Sequence, residues 1–464
     1  MLDQREYKPR KSALSDWRDY QRKLKKTAAV NAFIKNFLKY SAAILLLSFL
    51  GYKIIGGSTL VRSHTHQDID SSMTRAGAQP ERGRQPALSK AELQTLLDEK
   101  VLVNLDRKRF DVNFRGQKLT VDTSLKPDLQ QFIQRKMQRS TSRYIGIVIM
   151  APATGKIHAM VGFDKTAPHN NPNTDPFAAA SVFKIITAAA AIEKCGLNPD
   201  TEFLYNGKKH TLYKSQLRNR VNKYSRRITL QEAFAQSVNP VFGKIGTHYL
   251  NGEDIERYAD AFGFNRQIRF EIPLPPSIIS INKEPYHWAE IASGFNNETK
   301  ISPLHAALIA AAIINQGKIV EPSIVEKITN DNGEILYRGQ VATVNQAISP
   351  EATAALNRMM NATIQSGTAK KAFRGYRRDR ILSRLNIGGK TGSIDNELHD
   401  ARYDWFVGFA EEKDGPEKIV ISVFVAHEKY IGIRASRYAR LTIKHYFHDY
   451  FDNPTAKIKT DRRS

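Results

Sequence analysis

Cysteine is almost missing: Cys195 stands alone among 464 residues, so no intramolecular disulfide and no thiolate-based zinc site can form within the chain. The sequence has no phosphate-cradling Walker loop, no zinc finger and no aromatic RNA-binding signature, so nucleic acid is set aside as a partner. Acidic residues are scarce beside basic ones, 46 against 70, leaving a formal charge of +24. That sign suits an anionic membrane surface or an anionic polymer. Long apolar runs are nearly absent too. The exception that comes near a membrane span lies between Tyr40 and Val61, where Lys53 interrupts it short of the roughly 20 apolar residues a bilayer asks for.

What is present begins with that exception. Lys53 can snorkel, and Tyr40 and Tyr52 suit the headgroup region, so residues 39–61 are expected to be a single transmembrane helix. Before it, the first forty residues carry eleven Lys and Arg against four Asp and Glu. This bias predicts a cytoplasmic basic tail over 1–38 and an extracytoplasmic remainder. A cleaved leader fits less well, because Ala76-Gly77-Ala78 lies too far beyond the apolar run. Residues 62–118 read as a linker with a short juxtamembrane segment. In it Ser89-Lys90-Ala91-Glu92 makes a capping box that opens a short helix through Leu97, and His64 and His66 read as incidental.

The 41% apolar content is ample for a core, and from 119 to 450 the pattern is globular, with 451–464 a polar tail. Tyr144–Met150 and Lys156–Val161 flank the turn Ala151-Pro152-Ala153-Thr154-Gly155, which predicts a β-hairpin. Helical patterns cover about 124–137, 181–195, 229–236, 240–250, 253–262, 303–316 and 350–366. Strand patterns return at 387–391, 404–409 and 419–426, and a basic helix covers 435–447. Strands that open and close a domain around a helical middle predict an α/β protein of the α+β type, with one antiparallel sheet joining both ends and helices on its faces.

Three short motifs stand out. Ser181-Val182-Phe183-Lys184 opens an apolar helix, and i, i+3 spacing lets the hydroxyl meet the amine. Serine is a weak nucleophile until a base takes its proton, and a lysine among apolar neighbours loses enough basicity to serve. Ser280-Ile281-Asn282-Lys283 matches the spacing but opens no apolar helix. Ser237-Val238-Asn239 ends a helix before Pro240, a bend that aims two polar side chains into one cleft; the bland alternative is a helix stop. Lys390-Thr391-Gly392-Ser393 occurs once, after Gly388-Gly389. In an edge strand it offers a cation, a hydroxyl and an approachable backbone to a carboxylate and an extended peptide.

In this order the set resembles the penicillin-binding protein transpeptidase and serine β-lactamase family, with its S-x-x-K, S-x-N and K-T-G motifs. Flanking text is similar too: Leu129-Gln130, Ser302-Pro303-Leu304-His305, Gly367-Thr368-Ala369 and Trp405-Phe406-Val407-Gly408-Phe409. The resemblance implies a β-lactamase/transpeptidase-like fold with an all-helical subdomain. It implies Ser181 as nucleophile on the D-alanyl-D-alanine of peptidoglycan stem peptides and Lys184 as base. Ser237 and Lys390 would move the proton to the leaving group, Asn239 would hold the acyl amide, and Thr391 would bind the carboxylate beside Gly392. The N–H groups of Ser181 and Ser393 would form the oxyanion hole. It implies β-lactams as covalent ligands, no cofactor and no metal, and a glycan-polymerising partner protein. The short stretch between anchor and domain departs from relatives with a large pedestal, and leaves no room there for a glycosyltransferase domain. A D,D-carboxypeptidase, a β-lactamase or β-lactam sensor, and a non-catalytic wall-binding scaffold stay open, although no E-x-x-L-N segment is found. The basic 207–227 stretch reads as a solvated loop or an anionic contact, and Glu397 and His399 as hairpin-tip residues or substrate contacts.

Overall fold

The computed structural model describes residues 88–97, 102 and 104–452. The expected anchor 39–61, the basic tail 1–38 and all but the first two residues of the 451–464 tail lie outside the described residues. Among the described residues, no helix is long and apolar enough to cross a membrane.

Helix α1 (Lys90–Leu96) opens on the predicted capping box, with Ser89 and Glu92 each accepting from the other's backbone N–H. The Lys90 ammonium donates to the Glu321 carboxylate at 3.0 Å and the Pro322 carbonyl at 3.2 Å. Strands β1 (Arg109–Phe114) and β2 (Gln117–Thr123) then form a hairpin. The short helix expected through Leu97 is therefore present, but Arg109–Phe114, read as linker, is strand, and a border at 119 falls inside β2. Phe110, Val112 and Phe114 alternate with polar residues in the period of a half-buried strand. The strand that completes their sheet lies some 200 residues later, which no local pattern reveals.

Helix α2 (Pro127–Lys136) starts later than expected because Ser124 donates its hydroxyl to the Ile157 carbonyl, at 2.7 Å, instead of joining the helix. The predicted hairpin is β3 (Ser142–Met150) and β4 (Ile157–Asp164). After the short strand β5 (Phe177–Ala178) and a 3₁₀ turn over Ala180–Phe183 comes the alanine-rich helix α3 (Lys184–Cys195). Strands β6 (Glu202–Tyr205) and β7 (Arg226–Thr229) pair around the short helix α4 (Lys214–Leu217). Then follow α5 (Leu230–Ala235), α6 (Asn239–Lys244), α7 (Gly252–Ala261) and α8 (Pro285–Ser293), the last absent from the sequence reading. Strand β8 (Lys300–Ile301) pairs with β5 before α9 (Pro303–Ile314).

Strands β9 (Lys318–Val320), β10 (Val325–Asn330), β11 (Ile335–Arg338) and β12 (Thr343–Gln346) are also new. β10 and β11 complete a four-stranded sheet in the order β1-β2-β10-β11. Helix α10 (Pro350–Gln365) precedes the three late strands, β13 (Leu385–Asp395), β14 (Arg402–Glu412) and β15 (Lys418–His427), and α11 (Ala435–Asp452) ends the described chain.

The central sheet has the order β13-β14-β15-β3-β4, antiparallel throughout, so the end of the domain pairs with its beginning as expected. Side chains alternate between its faces. Ile145, Ile147, Ile149, Phe406, Ile421 and Val423 pack with α2 and α11 on one face. Val148, Met150, Trp405, Val407 and Phe424 pack with α3 and α9 on the other. Phe424 is fully buried against Phe177 and Trp405, and cutting it to alanine would cost about 3–5 kcal/mol. β13 is an edge strand, and it packs against α10 and the 3₁₀ turn of Ala180–Phe183.

Candidate active site

Ser181 sits on the 3₁₀ turn that leads into α3. The turn is pinned from outside. Gly294 caps α8 with φ +59°, and a Cβ there would stand 1.9 Å from the Ala180 carbonyl oxygen. Ala180 itself takes φ +49°. One turn on, Lys184 is fully buried with its amine 2.8 Å from Ser181 Oγ, 2.8 Å from Asn239 Oδ1 and against the Ser293 carbonyl. A neutral amine has two N–H bonds and one lone pair. Asn239 Oδ1 and the Ser293 carbonyl oxygen can only accept, so they take the two N–H bonds and leave the lone pair for the Ser181 hydroxyl proton. Burial, then repulsion from Lys390, pulls the Lys184 pKa well below that of an ordinary lysine, toward this neutral form.

The second motif lies where α5 gives way to α6. Ser237 takes φ +56°, the bend between the helices, and Asn239 is the first residue of α6, ahead of Pro240. The backbone of Asn239 donates to the Lys209 carbonyl at 2.7 Å, and the His210 ring lies 3.2 Å from the Ser237 carbonyl. The Ser237 hydroxyl accepts from the Lys390 amine at 3.0 Å, and the same amine donates to the Thr391 carbonyl at 2.8 Å. Lys390 is fully buried, and desolvation brings its pKa down to about 7, so this group can hold or release a proton near neutrality.

The third motif runs along the free edge of β13. Gly392 lets the strand close on the serine turn: a Cβ there would lie 3.3 Å from Ala180 Cβ, Val182 Cγ2 and Trp405 Cβ. The Trp405 indole donates to the Ala178 carbonyl at 3.0 Å, tying the sheet to the segment that carries Ser181. Thr391 is half-buried with its hydroxyl 2.5 Å from that of Thr368. Ser393 is exposed, and its hydroxyl accepts from Arg402 Nε at 2.9 Å.

Direct side-chain bonds thus link Ser181, Lys184 and Asn239 in one group and Ser237 and Lys390 in another, while Gly392 brings the edge of β13 against the serine turn. The look-alike Ser280 and Lys283 are both exposed. Glu397 pairs with Lys300 at 3.2 Å near the tip of the β13–β14 hairpin, and His399 lies there with φ +56°. Three contributors escaped sequence reasoning. The Ser293 carbonyl carries no side-chain signal. Gly294 gave no signal, since the helix it ends was not predicted. Thr368 was noted in Gly367-Thr368-Ala369 without a role. It is held there because its N–H donates to the Ala235 carbonyl at 3.0 Å, and a Cβ on Gly367 would lie 2.3 Å from that oxygen.

The arrangement can deprotonate a partly exposed serine hydroxyl and return a proton from the opposite side. It does so beside a strand edge able to hold an extended peptide. Among the described residues, no cluster of three metal-ligating side chains is assembled.

Comparison with known proteins agrees. The family described as the penicillin binding protein transpeptidase domain matches residues 145–443. The chain is 26% identical over 360 residues to the peptidoglycan D,D-transpeptidase PbpA of Mycolicibacterium smegmatis, covering 66% of this chain and 67% of that one. It is 24% identical over 331 residues to stage V sporulation protein D of Bacillus subtilis, covering 66% of this chain but 49% of that protein. Its fold is similar, at a TM-score of 0.57 and 21% identity, to penicillin-binding protein A from M. tuberculosis solved as an imipenem acyl-enzyme complex, covering 70% of this chain and 79% of that one. The match spans well over half of the sequence, and the chain belongs to the penicillin-binding protein transpeptidase domain family.

Proposed function

We propose that this chain is a serine-type peptidoglycan D,D-transpeptidase that is also acylated by β-lactams. The observation that carries the reading is the Lys184 amine, its N–H bonds engaged by Asn239 and Ser293 and its third contact the Ser181 hydroxyl at 2.8 Å. Ser181 Oγ attacks the carbonyl carbon of the D-alanyl-D-alanine bond while Lys184 takes its proton. The C–N bond breaks, the departing amine takes a proton from Ser237 Oγ, and Lys390 replenishes Ser237. The product is an ester on Ser181. The amine of a second stem peptide then attacks this ester and forms the crosslinking amide; its proton passes through Ser237 to Lys390, and as the ester C–O bond breaks Lys184 returns its proton to Ser181 Oγ. Thr391 would meet the terminal carboxylate, Asn239 the acyl amide, and the N–H groups of Ser181 and Ser393 the oxyanion. The names of the matched relatives and the acyl-enzyme state of a similar structure support the substrate class.

The same reading places the domain outside the cytoplasmic membrane, held by residues 39–61, where wall substrate is found, and calls for a partner that polymerises glycan strands. Its support is the basic tail before the apolar run. Alkaline carbonate washing of membranes should leave the chain in the pellet, and its release would refute the anchor.

A fluorescent penicillin should label the chain covalently, and Ser181→Ala should reduce labelling to background. With a stem peptide and an acceptor amine, the expected product is the crosslinked amide. Labelling that survives the substitution refutes the nucleophile. Hydrolysis alone, with the amine present, makes the chain a carboxypeptidase.

A further inference from the structure

Between Glu202 and Glu232 there is no acidic residue, yet eight Lys and Arg fall in this stretch. Five of them, Arg218, Arg220, Lys223, Arg226 and Arg227, crowd into ten positions and are all exposed. Of these five only Arg227 has an ion-pair partner among the described residues, the exposed Glu202. Like charges packed this closely repel one another unless something anionic lies against them.

The loop is built rather than slack. Asn206 Nδ2 donates to the Arg220 carbonyl at 2.8 Å, Ser225 Oγ donates to Asn206 Oδ1 at 2.8 Å, and the Asn222 N–H donates to Ser225 Oγ at 2.9 Å. Below it, the Gln216 amide donates to the Asn206 carbonyl at 2.8 Å, and β6 pairs with β7. On this fixed backbone Val221 and Tyr224 are each 71% exposed, and the Lys223 ammonium lies 5.2 Å from the Tyr224 ring centre. A soluble polyanion would be met by the charges alone and gives a valine no reason to stand out in water. Basic groups flanking an aliphatic and an aromatic side chain suit a layer that is anionic outside and apolar beneath.

We propose that residues 218–227 form a docking surface for an anionic phospholipid bilayer, with Arg218, Arg220 and Lys223 on the headgroup phosphates and Val221 and Tyr224 entering between them. This does not depend on the acyl-transfer reading. The test reconstitutes the full chain into nanodiscs of phosphatidylcholine alone or with one part in three phosphatidylglycerol. Co-elution with the discs is checked separately, so that a failed anchor is not mistaken for a failed dock.

Amide hydrogen exchange over 218–227 should slow about tenfold in the anionic discs relative to the neutral ones. The protection should vanish at high salt and in Arg218→Glu/Arg220→Glu/Lys223→Glu. Val221→Ser/Tyr224→Ser should weaken it while penicillin labelling is unchanged. Equal exchange in the two discs overturns the proposal. So does protection that appears in neutral discs only on adding a soluble polyphosphate, which would assign the surface to an anionic polymer.

Discussion

At the scale of single residues, the proposed chemistry rests on two lysines that the fold deprives of water. The folded pKa of Lys390 is about 7, against about 10.4 for an unfolded lysine. Between those values the unfolded chain binds a proton that the folded chain has released. Stability is therefore highest above the unfolded value, falls by about 1 kcal/mol per pH unit as pH drops through this window, and levels off below about 7. Lys184, also lowered by burial, adds to the loss in the same direction. Lys390→Met removes one of the two titrations, so its melting temperature should vary less than the parent's between pH 7.5 and 9.5. Parallel curves would refute the assignment. The same variant relieves the repulsion on Lys184, so the acid limb of the residual penicillin acylation rate should move to higher pH. The spacing and order of three motifs, and the family they resemble, named Ser181, Lys184, Ser237, Asn239 and Lys390 as candidates. They could not reveal that the Ser293 carbonyl holds the base, since a backbone oxygen is common to every residue.

At the scale of elements, a turn and an edge strand are held together by glycines at two close approaches. Gly294 touches the backbone of the serine turn, whereas Gly196, at the end of α3 with φ +62°, has nothing within 4 Å of where a Cβ would stand. Both are left-handed, so alanine at either site costs about 1 kcal/mol in backbone conformation. At Gly294 it must also push the Ala180 carbonyl away. Gly294→Ala should therefore slow penicillin acylation more than about tenfold, because displacing a nucleophile by a fraction of an ångström spoils its alignment. Gly196→Ala should lower the melting temperature slightly and leave the rate unchanged. Equal effects on acylation would show that the contact does not position Ser181. The helices α3, α5 and α10 and the late strands were legible from period and caps. The short pairs β6–β7 and β9–β12 were not, since strands of three or four residues carry too little alternation to register.

For the whole molecule, the domain is closed by pairings between distant parts of the chain. β15 joins β3, and β10 joins β2. A chain trimmed to begin at residue 119 loses α1, β1 and the start of β2, and with them Phe110 and the Lys90–Glu321 contact. It should melt several degrees below one that begins at residue 88, by calorimetry, since loss of the buried Phe110 side chain alone costs about 2–4 kcal/mol. Equal melting temperatures would restore the border at 119. The sequence by itself, through three motifs and the family they resemble, determined which residues to propose as nucleophile, base and proton carrier. It also determined that strands flank a helical middle, because side-chain chemistry and hydrophobic period are local properties. Tertiary structure alone decided that Lys390 stands beside Ser237 across 153 positions, that Lys184 is dry enough to lose its proton, and that a distant hairpin belongs to the domain. Desolvation and strand pairing depend on what the rest of the chain brings near, and no window of neighbouring residues contains that information.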